Sequence, residues 1–145
     1  LNTITKHAAP FLSFILFLAF FSCSEEELKL EVYSPEAFAF QVDPEWELNA
    51  SVQVKGFAQV EEKGEYSTKL SYYVNLVTPS GELFEEIDYG LIDRKSDEKL
   101  IDTQLEIQVM MDSSFAEGEY TLHIFVLDDL SEQQDSTQVK FTLSE

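Results

Sequence analysis

The sequence has one cysteine, two histidines and nine lysines or arginines in 145 residues. Each scarcity excludes something. A lone Cys closes no disulfide within the chain and builds no cysteine-rich zinc site. Nine basic residues against 28 acidic ones leave a net charge of −19. That is too few cations to displace the counterions of a nucleic acid, so no nucleic-acid partner is expected. No Gly-rich phosphate loop, His-Glu-x-x-His pattern or Gly-x-Ser-x-Gly elbow occurs in the chain, which removes the best-marked catalytic motifs. What is plentiful points elsewhere. A hydrophobic content of 44% with 12 Phe and 6 Tyr excludes a disordered acidic tail, and the length favours one domain.

The charge is unevenly spread. No acid precedes residue 23, and Lys6 is the only Lys or Arg there. Lys6 and His7 lead into one apolar run, Phe11 to Phe21. As a helix it would rise about 16 Å, short of the roughly 30 Å hydrocarbon core of a membrane. A positive segment followed by such a run is read as a secretory signal. The sequence opens on Leu1 rather than Met, which leaves the start of translation open.

Ser22-Cys23 stands at the expected cleavage point. This resembles a bacterial lipoprotein signal, whose Cys becomes the lipidated first residue. The usual signal has Leu and a small residue three and two positions before the Cys, where this chain has Phe20 and Phe21. Ser24-Glu25-Glu26-Glu27 resembles the serine-plus-acidic stretch that Bacteroidota lipoproteins carry as an export signal to the outer leaflet. The resemblance implies a signal peptide at 1–22, a lipidated Cys and acidic tether at 23–27, and an exported domain at 28–145. It also implies an outer-membrane lipid anchor, with the domain at the cell surface or facing the periplasm. An ordinary signal with a nearby Cys, followed by a plain solvated linker, is the alternative. A diacylglycerol on Cys23 would supply two chains, enough for stable anchoring. The acidic domain would then be repelled from anionic head groups.

From Leu28 onward apolar residues recur with period two, the signature of strands. The runs are Leu28, Leu30, Val32; Phe38, Phe40, Val42; Leu48, Ala50, Val52, Val54; Leu70, Tyr72, Val74, Leu76; Leu105, Ile107, Val109; Tyr120, Leu122, Ile124, Val126; and Val139, Phe141, Leu143. Ser34-Pro35 reads as a breaker between the first two, and Gly56 as a bulge. Turns are expected at Glu61-Glu62-Lys63-Gly64 and at Thr78-Pro79-Ser80-Gly81. Residues 82–99 are ambiguous, and Arg94 to Lys99 reads as an exposed loop. About seven strands without a long helix fit an immunoglobulin-like β-sandwich, with a jelly roll or small β-barrel as the alternative. Gly118-Glu119-Tyr120 followed by alternating apolar residues resembles the start of strand F in immunoglobulin-like domains, where a Tyr turns the corner and bonds back to the backbone.

Chemistry has few candidates. His123 is the one histidine after the signal and lies mid-strand, so no enzyme activity is expected. Asp128, Asp129 and Asp135 fall in one expected loop and would suit Ca²⁺, a hard cation that takes oxygen ligands. Asn49-Ala50-Ser51 and Asp135-Ser136-Thr137 match short glycosylation patterns. Trp46 and Tyr89 are the candidates for stacking on a sugar.

The strongest lead is a face. If Tyr120, Leu122, Ile124 and Val126 point inward, then His123, Phe125 and Leu127 point outward, as do Tyr73 and Val77 on the expected neighbouring strand. Together they form an aromatic patch, unless residues 82–99 or the N-terminal segment cover it. The expectation is a non-catalytic envelope lipoprotein whose domain binds another envelope protein. The alternative is a carbohydrate-binding accessory lipoprotein of a surface glycan-uptake system.

Overall fold

A computed structural model describes residues 27–144. The expected signal, Cys23 and the acids before Glu27 lie outside these residues. Eight strands follow in order: β1 (Glu31–Val42), β2 (Glu45–Lys55), β3 (Val60–Glu62), β4 (Glu65–Val77), β5 (Leu83–Ser96), β6 (Asp102–Met111), β7 (Gly118–Asp128) and β8 (Gln134–Leu143). All pairings are antiparallel. One sheet runs β1-β2-β6. The other runs β5-β4-β7-β8, with β3 on the start of β4. The crossovers from β2 to β6 and from β4 to β7 make this the immunoglobulin-like β-sandwich, its two sheets curled towards a half-barrel.

The alternating residues build the core. Leu48, Val52 and Val54 from β2, Leu105 and Ile107 from β6, Leu70, Val74 and Leu76 from β4, and Leu122, Ile124 and Val126 from β7 are all buried. Each such side chain contributes about 1.5–3 kcal/mol when fully removed from water. Trp46, read above as a sugar-stacking candidate, is in this core and 5% exposed. It sits two residues before Leu48 and shares its parity. The corner Tyr is also where the sequence placed it. Tyr120 is buried, and its hydroxyl donates to the Ala116 carbonyl at 2.6 Å.

Three local expectations need correction. Ser34-Pro35 does not break a strand. Val32 pairs with Val54, but Ala37 pairs with Ala50, so the register slips by one residue within β1 at Ser34, whose φ is +50°. A one-residue slip exchanges the faces of everything beyond it. Ala37 and Ala39 therefore pack against the core, and Phe38, Phe40 and Val42 face outward. Gly56 lies just past β2 and is no bulge within it; a Cβ there would come 1.9 Å from the Lys29 carbonyl oxygen. Residues 83–96 form one strand, so Arg94, Lys95 and Ser96 are strand and the exposed turn starts only at Asp97. Arg94 donates to Thr103 at 3.1 Å, fastening β5 to the start of β6.

Polar anchors hold the connections. Asp128 is fully buried, and its carboxylate accepts from the Ala58 N–H at 2.6 Å, the Leu130 N–H at 3.0 Å and the Ser131 hydroxyl at 2.7 Å. The segment leading into β1 is tied to β8 by side chains. Gln133 accepts from the Leu30 N–H and donates to the Leu28 carbonyl, at 2.9 and 2.7 Å, and Asp135 accepts from the Val32 N–H at 2.8 Å.

Asp128→Ala strands the Ala58 and Leu130 N–H groups and is expected to cost about 3 kcal/mol in urea unfolding. Asp128→Asn should fall between it and the parent, and a loss for Asp128→Ala below about 1 kcal/mol would contradict the anchoring role. A second expectation concerns alkaline pH. Burial raises the Tyr120 phenol, and Tyr72 is raised by burial, then by the Asp88 charge and the hydrogen bond to it. A folded pKa above the unfolded one means extra protons held in the native state between the two values. Stability is then full up to about pH 10 and falls as pH climbs through the folded values. Tyr120→Phe should be less stable by about 1 kcal/mol at neutral pH and decline less steeply above pH 10.

Candidate functional site

The outer face of the β5-β4-β7-β8 sheet collects the residues singled out in the sequence. Strand alternation turns Tyr73 and Val77 of β4, and His123, Phe125 and Leu127 of β7, away from the core, each half-buried. Tyr73 pairs directly with Phe125, and their rings stack with centroids 4.6 Å apart and planes 6° from parallel. On its other side Tyr73 pairs with Tyr89, and Phe125 pairs with Ser136. One row, Tyr89–Tyr73–Phe125–Ser136, therefore crosses all four strands. The next row is Leu91–Ser71–Leu127–Gln134. Tyr89 and Leu91 are 74% and 77% exposed.

His123 lies on the opposite side of the stack, paired with Asn75 and Gln138. Val77 is one row further, paired with Leu83 and Thr121, about 13 Å along the strand from Tyr73. The patch thus has a centre at Tyr73 and Phe125, with Leu127, Tyr89 and Leu91 beside it, and Val77 at the rim. The expected cover by residues 82–99 is not found. Residues 83–96 are β5, which lies edge-on to β4 and widens the face. The segment Leu28–Val32 runs along β8 instead.

Shallow hollows flank the stack. One, of about 280 Å³, is lined by Tyr73, Phe125, Gln134, Asp135 and Ser136, and another of about 420 Å³ by Tyr73, Asn75, Glu85 and Glu86. The chemistry is an aromatic centre with the Glu85 and Glu86 carboxylates on one side and, beyond Ser71, the Asp129 carboxylate that accepts from its hydroxyl. It suits an apolar group flanked by cations.

The three aspartates considered for Ca²⁺ are given separate tasks. Asp128 is the buried anchor, Asp129 accepts from the Ser71 hydroxyl at 2.9 Å, and Asp135 holds the Val32 N–H. No group of three or more His, Cys, Asp or Glu side chains among the described residues is placed to hold a metal ion. Of the sugar-stacking candidates, Tyr89 is exposed and Trp46 is not.

A second feature escaped the sequence reading. On the outer face of the β1-β2-β6 sheet, Phe38 and Phe40 lie with ring centroids 6.3 Å apart and planes 20° from parallel. Phe38 borders an open hollow of about 530 Å³ whose other side chains include Asn49, Ser51, Gln104, Glu106 and Gln108. Glu47 Oε1 accepts from the Asn49 amide at 2.9 Å and the Gln108 amide at 2.7 Å. Those two hydrogen bonds, Asn49 first, hold the Glu47 carboxyl below its ordinary pKa. The signal available was Ser34-Pro35, which as a bulge would have reversed the faces of Phe38 and Phe40.

Comparison with known proteins gives no family. No protein-family profile matches the chain, and no curated protein does. Among solved structures, the chain is similar to part of a family 123 glycoside hydrolase from Clostridium perfringens, studied for glycolipid glycan hydrolysis. The identity is 14% and the TM-score 0.43, over 68% of this chain and 21% of that one. This chain therefore spans about a fifth of that enzyme's length. It is also similar to the structural-genomics target SoR45, at 13% identity and a TM-score of 0.42, over 82% of this chain and 87% of that one.

Proposed function

We propose that this chain is an exported, lipid-anchored binding protein of a bacterial cell envelope, and that it recognises another envelope protein through the outer face of the β5-β4-β7-β8 sheet. The observation that carries the reading is the Tyr73–Phe125 stack on a face that β5 widens and does not cover. Four strands at their usual spacing and the length from Ser71 to Val77 give on the order of 300 Å². Tyr73, Phe125, Leu127, Tyr89 and Leu91 form the apolar part of that face, among Ser71, Gln134 and Ser136, and exposed apolar clusters mark interaction sites. The patch is the apolar centre of a contact rather than the whole of one, since a stable interface buries about 800 Å² per partner. Glu85 and Glu86 at its margin favour a partner that sets Lys or Arg beside its apolar group. Binding rather than catalysis is supported by the setting of His123, which lies on an open sheet face between Asn75 and Gln138. The anchoring half of the proposal rests on Cys23 and the Ser24–Glu27 stretch.

Two experiments test the halves separately. Cys23→Ala should move the protein from the membrane fraction to the soluble fraction; unchanged membrane association would overturn the anchor. Tyr73→Ala with Phe125→Ala should leave a soluble domain that loses no more than about 2 kcal/mol, the cross-strand ring pair being worth about 0.5–1.5. The same double variant should lose the envelope protein that the parent captures by cross-linking in cells. A stability loss of about 4 kcal/mol or more, or an unchanged cross-linked partner, would count against the face.

A further inference from the structure

We infer that the opposite face of the sandwich carries a separate site, for a neutral oligosaccharide, in the hollow beside Phe38 on the β1-β2-β6 sheet. It stands independently of the protein-binding face, on the other sheet and on other residues.

Phe38 and Phe40 are 60% and 44% exposed on consecutive outward positions of β1, where solvated side chains are the rule for a sheet face turned to water. Beside them the face is set with groups that both give and take hydrogen bonds. Register places Phe38, Asn49 and Gln108 in one row across three strands, Phe40, Glu47 and Met110 in the row on one side, and Glu36, Ser51 and Glu106 in the row on the other. Glu47 Oε1 accepts one N–H from Asn49 and one from Gln108. This fixes both amides and leaves each with a carbonyl oxygen and a second N–H. The result is a pre-set row of acceptors and donors next to an apolar ring pair.

A sugar matches that combination. Its ring presents an apolar C–H face to an aromatic side chain, and its hydroxyls each donate and accept. A fully apolar ligand would leave the amides and carboxylates unpaired, at a cost of about 1–3 kcal/mol for each group removed from water. A polyanion is opposed by Glu36, Glu47 and Glu106 on the face and by the net charge of −19. An extended peptide would need free backbone groups, and those of the central strand β2 are engaged on both sides by β1 and β6. Three strands give about 10 Å across, room for a di- or trisaccharide, and the hollow of about 530 Å³ is in the range of small-molecule sites.

The test is titration calorimetry of the exported domain with cellohexaose, mannohexaose, maltohexaose and chitohexaose, and with hexagalacturonate as the acidic probe. At least one neutral hexasaccharide should bind more tightly than about 10 mM. Phe38→Ala and Gln108→Ala should each weaken it roughly tenfold or more, with urea midpoints unchanged to show that both variants fold. Tyr73→Ala should not change it, so a failure here is separable from a failure of the protein-binding face. The site is overturned if no neutral hexasaccharide binds, if hexagalacturonate binds at least as tightly as they do, or if binding survives both Phe38→Ala and Gln108→Ala.

Discussion

Side chains of an extended chain alternate between two faces, and this domain is organised around that constraint. In β7 an unbroken parity from Tyr120 to Val126 sends four residues into the core and leaves His123, Phe125 and Leu127 outside. The core and the aromatic face are thus the same fact seen from two sides: moving Phe125 inward would require moving Ile124 out. Parity is reset at Ser34-Pro35, and there the second outer face acquires its aromatic rings. A single inserted residue there exchanges two alanines for two phenylalanines on the solvent side.

Much of this was legible in the sequence, and the reasons are particular. Alternation over Leu48–Val54 and Tyr120–Val126 was long and clean enough to fix both direction and face. Gly118-Glu119-Tyr120 marked the corner, and the Tyr120 bond to Ala116 is its physical content. Thr78-Pro79-Ser80-Gly81 closes as a turn, with the Gly81 N–H donating to Thr78 at 2.9 Å. Three places were opaque. Phe38 and Phe40 alternate as core residues do, so nothing local distinguishes them from an inward run except the bulge before them. Residues 83–96 lack a steady period because Asn75 of β4 faces extra residues of β5, with Glu86 at a φ of +51° and its N–H donating to the Asn75 side chain. Trp46 adjoins the Asp43-Pro44 turn, which made a core residue look like a loop residue. Asp128 shows a different limit. Sequence can find aspartates together, but a hydrogen-bonding anchor and a metal ligand use the same side chain.

The acidic surplus is accommodated by giving some carboxylates N–H and O–H partners instead of cations. Asp128, Asp135 and Glu47 each accept hydrogen bonds that fix a loop, an entering strand and a surface row. Ion pairs play a smaller part. Those between Lys55 and Glu31, Lys95 and Glu65, and Lys140 and Glu119 are solvent-exposed, and such pairs are worth at most about 1 kcal/mol. Stability here depends on the apolar interior and on directed hydrogen bonds, so salt should alter the surface charge more than the fold.

The seam between Leu28–Val32 and β8 has a mechanical meaning. Any pull that reaches the domain through its amino-terminal side enters at these residues, which are joined to Gln133 and Asp135 by hydrogen bonds and to the interior by Leu30 and Val32. Gln133 and Asp135 belong to the same end of the fold as the Asp128 anchor. Traction is therefore shared at once between the two sheets, and the first strand does not peel away alone. Tension applied to the domain is carried by the corner that the buried Asp128 carboxylate holds together.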